Sequence, residues 1–201
     1  MKKILTFFSY LLHPVFIPIF GALVYLFCVE NYLDAFPKYL LLIQITLITI
    51  FIPLTFLYFL KVIGRVDSIM VSDVSQRKIP LFVQIILVTL LILKSITFDN
   101  VPELFFFYLG GIVSAILAFI LLFFNVKASI HTTGISSLTV FVVGLSLHEN
   151  VNWMYAIALL ILLNGILMSS RLIMKAHTIT ELVIGFGLGI LPQLVLLRYW
   201  L

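Results

Sequence analysis

Leu104–Phe124 reads LFFFYLGGIVSAILAFILLFF, twenty-one residues without one charged side chain. About 20 consecutive apolar residues suffice to carry a helix across the hydrocarbon core of a bilayer, so this run alone places the chain in a membrane. Outward from it lie six more apolar runs, roughly 4–28, 39–60, 81–98, 132–148, 153–170 and 179–199. Each must be helical, because an open strand edge finds no hydrogen-bond partner in hydrocarbon. The expected fold class is all-α: a polytopic transmembrane helical bundle of six to seven membrane segments, with residues 1–201 forming a single integral membrane domain. Composition agrees. The 201 residues are 63% hydrophobic and 10% charged, where a soluble domain is roughly 45–50% apolar and about 25% charged.

The same inventory excludes other classes. Cys28 is the only cysteine, which removes an intramolecular disulfide, an iron–sulfur cluster and a cysteine-rich zinc site. The net charge of +4 comes from twelve Lys and Arg scattered at the ends of apolar runs, where such residues orient a membrane protein or bind anions, so nucleic acid is not an expected partner. Met1-Lys2-Lys3 before an apolar run mimics a signal peptide, but the run lacks a small-residue cleavage site and is read as part of the mature chain. His13, Pro14 and Pro18 fall inside it. Each proline removes a backbone donor, so a kink, a broken helix or a re-entrant segment is expected there. The run 132–148 is short for a span.

The connections fall into two groups. Residues 61–80, 125–131 and 170–178 are rich in Lys, Arg, His, Ser and Thr, whereas 29–38, 99–103 and 149–152 are short and acidic. Three basic connections lead into apolar runs: Arg77-Lys78-Ile79-Pro80, Ser129-Ile130-His131-Thr132-Thr133-Gly134, and Ser170-Arg171 through His177 to Glu181. Two crossings separate each from the next, so parity brings all three to one membrane face. With seven crossings that face also holds the N-terminus and carries nine Lys and Arg against three opposite, which positive-inside counting makes cytoplasmic. Setting aside Arg77, Lys78, Arg171 and Lys175 as anion ligands leaves five against three. Pro80 near a first helical position, Thr132 or Thr133 as a cap, and Thr178 as a cap mark three expected helix N-termini, each favourable to a phosphate or other anion. Arg77 and Arg171 add forked donors suited to a phosphoryl group.

At the third junction, Ser170-Arg171, five residues, His177, three residues and Glu181 resemble the S-R-x5-H-x3-D signature of the type 2 phosphatidic acid phosphatase superfamily, integral-membrane phosphatases with a haloperoxidase-like helical core. Ala128-Ser129-Ile130-His131 resembles its P-S-G-H element without Pro and Gly, and Arg77 to Pro80 resembles the end of its K-x6-R-P element, with Met70 where a lysine is expected. The resemblance covers roughly 77–185. It implies a metal-independent phosphatase without cofactor, acting on a lipid phosphate monoester or diphosphate through a phosphohistidine. His177 would be the nucleophile, Glu181 its orienting carboxylate and His131 the general acid. Arg171, Arg77 and Ser129, with Lys78 and Ser170, would hold the phosphate. A bacterial cytoplasmic membrane is the expected location, although the family's site usually faces away from the cytoplasm; a first segment that does not cross would remove that conflict.

Other readings of the same residues stay open. Thr178-Ile179-Thr180-Glu181 is a capping box; His131 alone reads as an interfacial histidine; Arg77 and Lys78 read as topogenic charges; Lys175 as a snorkelling residue; Asp67 and Asp73 as surface partners of nearby cations. His13 reads as structural for want of a partner at suitable spacing, and His148 as interfacial. The glycines at 110, 111, 185, 187 and 189 suit close helix packing. Loss of the Pro, Gly and Lys positions also fits a catalytically inactive lipid-binding or transport protein. Arg171 and His177 are about 240° apart on a regular helix, so both reach one phosphate only if a turn lies between them.

Overall fold

The computed structural model describes residues 2–30, 33–67 and 74–201, with the side chains of 2–4, 74 and 75 outside that set. The expectations attached to Met70, Asp73 and the side chains of Lys2 and Lys3 therefore fall outside the described residues. Nine α-helices follow one another among the described residues: α1 (Lys2–Leu11), α2 (Ile17–Cys28), α3 (Ala35–Thr46), α4 (Ile52–Val62), α5 (Val74–Lys94), α6 (Pro102–Leu121), α7 (Ile130–His148), α8 (Met154–Ile173) and α9 (Ile179–Leu197). Six helical stretches are long and apolar enough to cross a membrane, with α3 and α4 joined as one span, Ala35–Val62. The protein is thus a helical integral membrane protein.

The proline-bearing first run is broken. α1 and α2 form a pair bent by 41°, separated by a 3-10 turn over Pro14–Phe16. Pro14 opens that turn and Pro18 lies in the first turn of α2, positions where a missing N–H costs little. Pro53 has a comparable effect at the start of α4, preceded by a π turn over Leu47–Phe51, since a proline displaces the regular hydrogen-bond ladder.

The short run expected at 132–148 forms the centre of the bundle. In its most apolar stretch 67% of α7 is buried, against 17–44% for the other spans. Lipid supplies no hydrophobic force between helices, so close backbone approach and hydrogen bonds must hold them. On α7, Thr132 Oγ1 donates to the Leu182 carbonyl (3.3 Å), Thr133 Oγ1 to Gly185 (2.9 Å) and Ser136 Oγ to Phe186 (3.1 Å), all on α9. A Cβ at Gly185 would strike the Ser129 carbonyl, and one at Gly189 the Ser136 hydroxyl and the Thr133 carbonyl. Gln193, fully buried on α9, donates to Ser137 Oγ (2.8 Å) and to the Phe107 carbonyl on α6 (2.9 Å). The outer face of α5 shows the complementary pattern, with Phe82, Ile86, Leu90 and Leu93 exposed at helical spacing toward lipid.

Two expected helix starts need correction. Among the described residues α5 runs from Val74, so Pro80 lies inside it and not at a first helical position, and Arg77 and Lys78 already belong to the helix. α7 begins at Ile130, where Ser129 rather than Thr132 or Thr133 is the cap. The two threonine hydroxyls instead donate back to the Ser129 carbonyl (2.9 and 3.0 Å), as threonines inside a first turn do. On the opposite face Glu103 accepts from Tyr25 Oη (2.8 Å) and lies 3.3 Å from His148 Nε2, clasping α2, α6 and α7. Asp67 Oδ2 accepts from Gln76 Nε2 (2.7 Å).

Candidate active site

The three basic junctions converge on one cavity of about 300 Å³. Arg77 enters from α5, His131 from the first turn of α7, Arg171 from the last turn of α8 and His177 from the loop before α9. The body of the cavity is mainly apolar, with Val83, Ile85 and Val88 of α5, Phe107, Ile112 and Ala115 of α6, and Ile17 and Pro18 of α2, interrupted by Gln84, Ser114 and Ser137. From Ala118 to Phe107 the lining follows α6 for about 16 Å at 1.5 Å per residue. One space therefore joins a cationic end, at the helix termini that carry His131, Arg171 and His177, to a mainly apolar shaft between the helices.

The turn that the Arg171–His177 spacing requires is present. α8 ends at Ile173, and Lys175 takes a left-handed conformation with φ 51°, which reverses the chain and returns His177 to the side of Arg171. Thr178 then caps α9. Glu181 serves both readings at once: its carboxylate accepts from the Thr178 backbone N–H (3.4 Å) within a capping box, and the same Oε2 lies 2.7 Å from His177 Nδ1. With Nδ1–H held by the carboxylate, Nε2 keeps its lone pair.

Burial lowers the pKa of His177 against the opposing hydrogen bond to Glu181, and the positive charges of Lys127, Arg77 and Arg171 push it down further. The downward shift favours the neutral imidazole, the form a nucleophile needs. Turnover that depends on it should keep its full rate well below pH 6.5 and fail only as the pH approaches the lowered value. Glu181→Gln removes the one interaction that raises this pKa. The acid limb of a pH–rate profile is therefore expected to move further down, with kcat reduced about 10–100-fold, the scale found for carboxylates that orient a histidine.

Arg171 is 5% exposed. Its Nη1 donates to Ser9 Oγ (2.7 Å) on α1, and its Nε, fully buried, has no partner among the described residues. Nor does any carboxylate among them pair with it, and a buried guanidinium with one neutral hydroxyl is a costly arrangement without an anion. His131 Nε2 is likewise buried and unpartnered among the described residues. Arg77 Nη1 reaches the Ala128 carbonyl (3.5 Å), which ties α5 to the residue before the α7 cap.

Three of the expected phosphate ligands do other work. Ser170 Oγ donates to the Leu5 carbonyl of α1 (2.6 Å), one residue and about 100° from the cavity-lining Arg171. Lys78 lies with its ammonium 4.6 Å from the Phe123 ring centroid. Ser129 is fully buried; its hydroxyl accepts from Thr132 N and its amide donates to the Glu181 carbonyl (3.1 Å), fixing the start of α7 against α9. Conversely, the cavity includes His13, whose ring lies 5.0 Å from that of His131 at 84°. The two are separated by more than a hundred residues, beyond any local spacing; an ionisable residue inside an apolar run was the one signal available. Comparison of the chain with protein-family models, with curated proteins and with solved structures returned no match.

Proposed function

We propose that this protein is a membrane-embedded, metal-independent phosphatase of the type 2 phosphatidic acid phosphatase kind, hydrolysing a lipid phosphate monoester or diphosphate through a phosphohistidine. The observation that carries this reading is one cavity in which Arg77, His131, His177 and a buried Arg171, the last paired with no carboxylate among the described residues, stand at the head of a mainly apolar shaft. An anionic head group and a hydrocarbon tail on one molecule match those two environments. A water-soluble ester matches only the first.

In this mechanism the guanidinium groups of Arg171 and Arg77 hold the non-bridging oxygens, because phosphoryl transfer depends chiefly on positioning and charge stabilisation. Nε2 of His177 attacks phosphorus and the bond to the leaving oxygen breaks, with His131 delivering a proton to that oxygen. Glu181 holds the imidazole through Nδ1 while it gains the phosphoryl group. Water then attacks the phosphorus, giving up a proton to His131 as the phosphorus–nitrogen bond breaks, which releases phosphate and restores both histidines.

The test is phosphate release by the detergent-solubilised protein from phosphatidic acid, phosphatidylglycerol phosphate, a polyprenyl diphosphate and a lipid A phosphate, with p-nitrophenyl phosphate as the soluble control. Release from at least one lipid, at a rate well above that from the soluble ester, is expected. Binding of these lipids without release would make the chain a binding or transport protein instead.

A further inference from the structure

We infer that His13, supplied by the break in the first span, is a third histidine of this site that donates its Nε2–H to the leaving group, and that this donor selects a lipid diphosphate over a monophosphate. The inference rests on the phosphatase reading above and names the substrate class that the same cavity takes.

The tautomer follows from geometry. Nδ1 of His13 accepts the backbone N–H of Val15 (3.4 Å), capping the 3-10 turn. A nitrogen that accepts carries no proton, so in the neutral ring the proton resides on Nε2. The position within the cavity follows from what comes next in the chain. Pro14, Val15, Ile17 and Pro18 line the cavity with His13, so the ring stands where the cationic end passes into the apolar shaft. Its neighbour is His131, with ring centroids 5.0 Å apart. In the mechanism above His131 serves the leaving oxygen, and His13 therefore lies on the leaving-group side.

A monoester leaves as an alkoxide with one oxygen, which His131 protonates. A diphosphate leaves as a lipid monophosphate, whose non-bridging oxygens call for a further donor. The step balances without a co-reactant: the His177 Nε2 to terminal phosphorus bond forms, the bridging phosphorus–oxygen bond breaks and His131 gives its proton to the lipid monophosphate. Water later hydrolyses the phosphohistidine to inorganic phosphate, and its proton returns to His131. His13 contributes a hydrogen bond and transfers no proton. A neutral donor suits this place, since a second cation beside His131 would oppose the protonation on which the acid step depends.

Two substitutions separate donor from cap. His13→Asn puts an amide oxygen near the position of Nδ1 and keeps the cap but has no donor at the position of Nε2. His13→Gln reaches that position with its amide N–H and is the poorer cap. Turnover of a polyprenyl diphosphate is expected to fall about 100-fold in His13→Asn, the scale for one preorganised donor, and to be largely retained in His13→Gln. Turnover of the matching monophosphate should change by no more than a few fold in either. A purely structural histidine predicts the reverse order, Asn tolerated and Gln not, with both lipids affected alike, and that result overturns the inference.

A binding arm separates this inference from the phosphatase reading. His177→Ala protein, alone and combined with His13→Asn, is titrated with the same two lipids. Preference for the diphosphate that disappears in the double variant supports the donor role even if the wild type releases no phosphate, in which case only the phosphatase reading falls. Equal binding of both lipids with and without His13 overturns the donor role even if turnover is established.

Discussion

Replacing His177 by alanine should abolish phosphate release from every lipid substrate, with kcat reduced by roughly 10⁴–10⁶-fold, the range seen when a covalent nucleophile is removed from a unit of interacting residues. The fold should survive. His177 belongs to the loop between α8 and α9, and its side chain is held by Glu181. That carboxylate keeps its place in the Thr178 capping box after the ring is gone. Circular dichroism and thermal unfolding in detergent should therefore match the wild type while release disappears. Residual release above about one part in a hundred would remove His177 from the role of nucleophile. His131→Ala makes a useful companion: loss of the general acid slows alkoxide departure most and departure of a better leaving group least.

The second large effect concerns packing. In Gly189→Val the new side chain would enter the contact between α9 and α7, where the Ser136 hydroxyl and the backbone of Thr133 and Ser137 already stand. Backbone cannot rotate aside as a long side chain can, so the helices must separate. That loses the Thr133 to Gly185 and Ser136 to Phe186 hydrogen bonds along the same seam. Overpacking of this kind costs about 1–3 kcal/mol or more, equivalent to a Tm lower by roughly 2–12 °C in a chain of this length. Activity should fall as well, because the same seam fixes Ser129 and hence the first turn of α7 that carries His131. Gly187 lies two residues away, and a Cβ added there would meet open space, with nothing within 4 Å. Gly187→Val should consequently leave Tm within about a degree or two. If the two valine variants unfold together, the close approach of α7 and α9 is not what holds the bundle.

The amino-acid sequence by itself determined those features whose causes lie within a few residues or in bulk composition. An uncharged run such as Leu104–Phe124 has no stable place in water, and in hydrocarbon it has no alternative to helix. Pro14 and Pro18 break the first run through covalent geometry. Thr178 and Glu181 meet through the spacing of a helix start, and the His177 to Glu181 contact is equally local. Parity of crossings foretold that Arg77, His131 and Arg171 would share one membrane face, because a chain that crosses twice returns to the side it left.

Only the tertiary structure decided which way each helix is turned about its axis. Ser170 and Arg171 are adjacent, yet a rotation of about 100° per residue gives one to the α1 backbone at Leu5 and the other to the cavity. The same rotation turns Lys78 to Phe123 while Arg77 reaches Ala128. Ser9 and His13 joined the site through partners on α8 and α7, and Gln193 became the buried link among α6, α7 and α9 through two partners far from it in the chain. Against lipid on every side, apolar periodicity cannot report which face of a helix meets another helix, since both faces meet an apolar medium. The orientation is set instead by small residues and hydroxyls finding their counterparts across the bundle, as Gly185 and Gly189 do against Ser129, Thr133 and Ser136.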